Sequence, residues 1–452
     1  MKTWITGGRV IDPRTHIDSK LNVVLEGGKV VALTNDPSAS DAHILHAENR
    51  VVCPGFLDIH MHEAPLGDLS DIEGSILGCM LRMGVTTALG GNCGENILPP
   101  KEYFRQVAGR LPISLALLAG HGAAREAAGF SDRYQSLTTE QIHQVTDVLN
   151  TWLEDGCFGV SYGIRYYPGT TREELLETAQ LCQKEHLLVA AHVRDDADYI
   201  FDSITEFLEP GWQYGLKMQV SHLGSMGGYG QMAQVLSILD AARAKGLDVM
   251  ADCYPYDAFS TRIGETTYDP GFLERYHCDY SAIGICGGKY DGQRCTREIF
   301  DELRKEHPET ITVGYVMQPE DVRMAMAHPA VMLCSDGLME AREGHPRAAG
   351  TFPRLIAQYV RTGTLSLYDA IEKMTSMPAQ RIGLSQKGSI APGCDADVVI
   401  FDPDTIEDRA TFQQPDLPPV GIDYVLMGGE IACDHGTIVN GTLGCRIACP
   451  RS

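Results

Sequence analysis

Short apolar runs, separated by polar and glycine-bounded segments, recur along the whole chain. Near the N-terminus they have strand length: Trp4-Ile5-Thr6, Gly8-Arg9-Val10-Ile11, Leu21-Asn22-Val23-Val24-Leu25 and Lys29-Val30-Val31-Ala32-Leu33. The last two are joined by Glu26-Gly27-Gly28, and strand, glycine turn and strand predict a hairpin. The C-terminal stretch has the same texture, with runs at 396–401 and 422–427 and a Gly428-Gly429-Glu430 turn into Ile431. Two β-rich ends around a different middle predict one small β-sandwich domain built from both termini, residues 1–55 and 385–452.

The middle, 56–384, alternates apolar runs with helical periodicity. Strands are predicted at 56–62, 86–93, 113–121, 158–164, 187–193, 217–223, 248–256 and 331–336. Helical stretches lie between most of them, for example 138–155, 171–185 and 230–245. Thr138-Thr139-Glu140-Gln141 reads as a capping start and Gly156 as a stop. Eight strands with intervening helices predict an α/β fold, a (β/α)8 TIM barrel of about 250 residues before insertions. Periodicity alone equally allows a doubly wound sheet. Residues 263–328 exceed one loop and helix and carry their own strand (311–316) and helix (298–306). They predict an insertion after the seventh strand, on the side where barrel active sites form.

Charge narrows the function. The 452 residues carry a formal charge of −23, which argues against nucleic-acid and anionic-membrane partners because those need clustered Lys and Arg. A small-molecule substrate is compatible with it, and a homo-oligomer stays open. There is no run of about 18 apolar residues to span a membrane, and the N-terminal residues turn polar too soon for a signal peptide. The expected location is cytoplasmic. The 14 cysteines are scattered, without paired CxxC spacing, and read as buried reduced thiols. Cys93 is treated separately.

Six residues of metal or acid–base type end these runs. His60 and His62 stand two apart, so they point to one side of a strand and can hold a divalent metal in an open site. Alone, such a pair is as readily two unrelated histidines. Cys93 follows in Gly90-Gly91-Asn92-Cys93-Gly94, where glycines let the backbone approach closely. His192 and His222 each follow an apolar run, and each alone would be an ordinary core histidine. Asp336, in Cys334-Ser335-Asp336-Gly337, could be a helix cap; with the histidines it becomes a candidate general base and acid. In a parallel barrel all six fall at the carboxyl ends of strands, where reactive groups gather. His345-Pro346-Arg347 and Gly120-His121-Gly122 are equally turn chemistry or substrate contacts. Tyr254-Pro255-Tyr256-Asp257-Ala258-Phe259-Ser260 follows strand seven, where its hydroxyls could line a pocket.

Assembled, these segments resemble the amidohydrolase superfamily, in its N-acyl-D-amino-acid deacylase (D-aminoacylase) branch. The likeness runs nearly end to end. It rests on Pro54-Gly55-Phe56-Leu57-Asp58-Ile59-His60-Met61-His62, Gly91-Asn92-Cys93-Gly94, Tyr254-Pro255-Tyr256, Ser335-Asp336-Gly337, His345 to Arg354, and the tail segment Lys387 to Asp397. In that branch a strand-two cysteine takes the bridging role that many relatives give to a carboxylated lysine on strand four, and 158–164 here lacks a lysine. The resemblance implies zinc as cofactor, one tight site at Cys93, His192 and His222, and a weaker second at His60 and His62 sharing Cys93. It implies Asp336 as the catalytic carboxylate, with Tyr254 and Ser260 near the substrate's carboxylate. The branch's carboxylate-binding lysine is replaced by Gly224, with either Arg262 or Arg194 as substitute or a substrate that differs at that end, and His345 as a further contact. The implied reaction is hydrolysis of N-acyl-D-amino acids. Cyclic-amide hydrolysis, as by a hydantoinase or dihydroorotase, is the alternative on the same scaffold; a barrel without catalysis is the remaining one.

Overall fold

The computed structural model describes residues 2–36 and 43–450. Met1, 37–42 and 451–452, all within the predicted terminal β domain, lie outside the described residues. The fold is α/β. Its central strands are β1 (Phe56–Asp58), β2 (Val85–Gly90), β3 (Ser114–Leu117, resumed at Ala119–Gly120), β4 (Gly159–Gly163), β5 (Leu188–His192), β6 (Lys217–Val220), β7 (Val249–Cys253) and β8 (Val331–Leu333). Each pairs in parallel with its sequence neighbour, in the runs β1–β2–β3 and β3–β4–β5–β6–β7–β8. A parallel bridge between Met61 and Gly337 joins the ends of β1 and β8. The strands are apolar and almost wholly buried, as expected when helices cover a parallel sheet.

Local chemistry sets the helices. Thr138 caps Thr139–Glu154, and its capping box with Gln141 is complete. Thr171 caps Arg172–Gln180 through the Glu174 N–H. Both starts match the sequence expectation. The strands, however, are shorter than the apolar runs. Pairing in the first ends at Asp58, so His60 and His62 stand on the loop beyond it.

Residues 259–314 form a separate antiparallel sheet, with Ile311–Gly314 between Phe259–Arg262 and Ile283–Cys286. It begins earlier than residue 263 because Phe259 to Arg262 already pair with Gly314 to Ile311. The termini build two further sheets. One runs Lys29–Thr34, Asn22–Glu26, Thr3–Thr6, His43–His46. The other interleaves both ends of the chain, with Val51–Pro54 antiparallel to Val398–Phe401. Ile5, Val23, Leu25, Val52, Val398 and Ile400 from the two sheets share one buried apolar cluster.

Candidate metal centre and active-site cavity

The loops after β1, β2, β6 and β8 bring four donors together. The Cys93 thiol lies 3.4 Å from His60 Nε2 and 3.4 Å from His222 Nε2. Asp336 Oδ1 lies 3.4 Å from His60 Nε2 and 3.3 Å from His62 Nε2. One ligand atom from each of His60, Cys93, His222 and Asp336 falls within 4.8 Å of the others, and all four residues are buried. His62 joins through Asp336. His192 is beside this group rather than in it: its ring stands edge-on, 4.5 Å between centroids, to His222 and 4.6 Å from Tyr166. Its Nδ1 is buried without a partner.

A second layer fixes the imidazoles. Asp252 accepts from the His222 N–H at 2.7 Å and from Gln219 at 2.7 Å, and its Oδ1 lies 3.3 Å from His60 Nδ1. Ser225 Oγ lies 2.9 Å from His222 Nδ1. Asp58 accepts from the backbone of His60 and Ser335. With His222 Nδ1 on Ser225 and His60 Nδ1 beside Asp252, each Nε2 faces the thiol, the arrangement that prepares an imidazole to bind metal. Sequence reading gave no role to Asp58, Asp252 or Ser225; for the two aspartates the available signal was an acid inside an otherwise apolar strand.

The donor set fits a divalent cation. Burial, with Asp336, Glu95 and Asp252 adding to it, pushes the Cys93 thiol well above its usual range. Burial brings the His222 imidazole down to about 4 and, with His222 as neighbour, holds His192 well below its usual range. Neutral imidazoles are ready ligands, and a dication would reverse the thiol's preference. Thiol, imidazole and carboxylate together suit zinc. Asp336 stays ionised: burial raises its carboxyl, but Arg347, His222 and His62 outweigh it and hold it well below the carboxylate range.

His62, His192, His222 and Asp336 line a cavity. Arg347, buried at 2% exposure, lines it. Its Nη1 meets Asp336 Oδ2 at 2.9 Å, and its guanidinium lies 4.6 Å from the Tyr254 ring centre. Ser260 and Arg262 also line the cavity, and Arg262 is paired with Glu340. The other expected contacts are elsewhere. Arg194 is bound to Glu206 and to the carbonyls of Pro168 and Thr170, away from the cavity wall. His345 packs behind Arg347, between the rings of Tyr256 and Phe412, with its Nδ1 accepting from the Arg347 N–H. His121 is buried on Glu174 at 2.8 Å. At Gly224 a Cβ would come within 2.9 Å of Cys253 Sγ, so a longer side chain there has no room without a shift.

A buried donor set at the carboxyl ends of parallel strands, under one guanidinium, defines a hydrolase of the amidohydrolase class, and residues 300–433 match the Amidohydrolase family. An N-acyl-D-glutamate deacylase from Alcaligenes xylosoxydans xylosoxydans is 32% identical over 457 residues, covering 94% of this chain and 92% of that one. The crystal structure of a D-aminoacylase superposes with a TM-score of 0.87 at 26% identity, covering 99% of both chains. The N-acyl-D-glutamate deacylase of Bordetella bronchiseptica, solved with zinc and a phosphonate mimic of the tetrahedral intermediate, gives 0.87 at 28%, with 99% of both chains covered. A D-hydantoinase from a Bacillus sp., at 16% identity and a TM-score of 0.66, shares the fold alone. The chain belongs to the N-acyl-D-amino-acid deacylase (D-aminoacylase) family of amidohydrolases.

Proposed function

We propose that this protein is a zinc-dependent hydrolase that cleaves the linear amide of N-acyl-D-amino acids, releasing a carboxylate and a free D-amino acid. The observation that carries the reading is the convergence of Cys93, His60, His222 and Asp336, of which His222 and Asp336 line a cavity together with Arg347. Cys93, His192 and His222 would hold the tighter zinc; His60 and His62 would hold a weaker second one, with Cys93 shared. Zinc bound there supplies Lewis acidity, making water acidic enough to attack near neutral pH.

The chain's own residues do the rest. Asp336, ionised and facing the donors, accepts the proton of the attacking water and returns it to the departing nitrogen. Asp252 and Ser225 hold His60 and His222 in place. Arg347, Tyr254 and Ser260 take the substrate's carboxylate. Arg347 fills the part of the absent lysine at Gly224 better than Arg194, which is off the cavity wall on Glu206, or Arg262, which pairs with Glu340, because Arg347 lines the cavity beside Asp336 itself. Its position against Asp336 sets the carboxylate beside the scissile amide, as an α-carboxylate requires.

The same reading extends to architecture. We read residues 56–384 as a closed (β/α)8 barrel, supported by the Met61–Gly337 bridge, with an insertion that carries the antiparallel sheet of residues 259–314. Residues 1–55 and 385–452 form the small β-sandwich, supported by their shared apolar cluster. Among the described residues no helix is long and apolar enough to cross a membrane. The scattered cysteine spacing favours a reducing, cytoplasmic setting.

The test is a panel of N-acetyl-D- and N-acetyl-L-amino acids beside hydantoins and dihydroorotate, with zinc content measured in parallel. Turnover of D-configured linear amides is expected. Turnover of the rings with no linear amide cleaved overturns the proposal in favour of cyclic-amide hydrolysis.

A further inference from the structure

The cavity floor is electrically polarised. At one end stands Arg347, with Nε buried and unpartnered and Nη1 on Asp336. Asp336 touches His62 Nε2, and His62 Nδ1 lies 3.6 Å from Glu95 Oε2. The line Arg347–Asp336–His62–Glu95 therefore runs from a guanidinium to a carboxylate, with the metal donors between. The Glu95 side chain is 39% exposed and, among the described residues, has no Lys or Arg within ion-pair distance.

Beyond Glu95 the cavity continues into a second recess, sharing His62, Glu95, Arg262, Glu265 and Leu338 with the first. Glu63, Glu126 and Glu340 line this recess too, against the guanidiniums of Arg133 and Arg262 alone. Both arginines are already taken, Arg133 by Glu265 at 2.5 Å and Arg262 by Glu340. Among the described residues, Glu63 and Glu126 have only neutral donors, Asn96 at 2.8 Å and the Tyr167 hydroxyl at 2.6 Å. Carboxylate is thus in excess on this side, while the other end holds the Arg347–Asp336 pair.

We propose, resting on the deacylase reading above, that the cavity selects a bipolar substrate: its carboxylate at Arg347 and an ammonium or guanidinium group at Glu95. The positive group can come from two sources, the side chain of a D-lysine or D-arginine residue, or the free amine of an aminoacyl group on the scissile nitrogen. Water adds to the amide carbonyl, the C–N bond breaks, the proton passes to the leaving nitrogen, and no other reactant is consumed. A D-glutamate side chain would instead place a like charge against Glu95 and the glutamates behind it, which discriminates as strongly as attraction does. Likeness in sequence to an N-acyl-D-glutamate deacylase therefore does not carry over to the side chain recognised.

The test uses the full chain loaded with zinc. N-acetyl-D-lysine, N-acetyl-D-glutamine and N-acetyl-D-glutamate are compared, and glycyl-D-methionine is set against N-acetyl-D-methionine. For the side-chain source, kcat/KM for the lysine compound is expected to exceed glutamine by about tenfold and glutamate by about a hundredfold. For the amine source, the glycyl compound leads by about tenfold. Either advantage should shrink in Glu95→Gln and fall in the wild type as salt is raised. Calorimetry of D-lysine, D-glutamine and D-glutamate binding gives an order independent of turnover for the first source. If glutamate equals or beats lysine and the glycyl compound has no lead, the proposal is overturned. It is also overturned if Glu95→Gln slows all substrates alike. In either case cleavage of linear D-amides leaves the deacylase reading standing, whereas cleavage of rings alone removes both.

Discussion

Cys93, His222 and Asp336 all carry left-handed backbone, with φ of 54°, 33° and 48°. Each such residue costs on the order of 1 kcal/mol or more and persists only where its surroundings fix it. Here the three turns aim a thiol, an imidazole and a carboxylate at one point. Replacing Cys93 by Ala is expected to strip most of the zinc and abolish turnover. Asp336→Asn should keep zinc and lower kcat by roughly 10²- to 10⁴-fold. Elemental analysis beside initial rates separates the two, and full zinc retention by the Cys93 variant would remove the thiol from the site. Arg347→Met should raise KM by about 10- to 100-fold, the worth of a charged hydrogen bond, while Arg194→Ala, outside the cavity, leaves KM near the wild-type value. The candidate donors were legible because each follows an apolar run and has a side chain that such a run does not otherwise need. Arg347 was not, because it sits in the turn-like His345-Pro346-Arg347 with nothing local to show its burial. His345, the more conspicuous of the two, turns out to stand behind it.

At the scale of elements, the apolar runs located every central strand but overstated most lengths. Residues 59–62 illustrate why: they remain buried or nearly so, yet leave the ladder to carry His60 and His62, and hydropathy records burial, not pairing. Caps were readable because Thr138 and Gln141 act within one turn. One buried cation outside the site offers a pH test. Lys373, on the helix Leu367–Met374, donates from Nζ to the carbonyls of His328 and Val331 at the entry to β8. Burial lowers its ammonium from 10.5 to about 8. Between those values the unfolded chain binds more protons than the folded one, so this group's contribution to stability rises with pH across that window. Urea unfolding at pH 8 and pH 10.5 should show a smaller gain for Lys373→Met than for the wild type; an equal gain would assign the trend to other groups.

Across the whole molecule, the two ends of the chain are not separable appendages. Val51–Pro54 is held between Arg9–Asp12 and Val398–Phe401, then runs through Gly55 directly into β1. Ile400 is fully buried in the cluster between the terminal sheets. Ile400→Ala is expected to cost about 2–5 kcal/mol, measured by denaturant unfolding, and a cost under about 1 kcal/mol would mean that the sheets are only loosely packed. The β character of both ends was visible in the sequence, but their pairing was not, because a register between strands so far apart leaves no local trace. That pairing also orders events during synthesis. A growing chain on the ribosome lacks the partner of the strand that anchors the His60 loop until Phe401 has emerged. The sheet that leads into the His60 loop is therefore completed only late in synthesis, after the central strands have already been made.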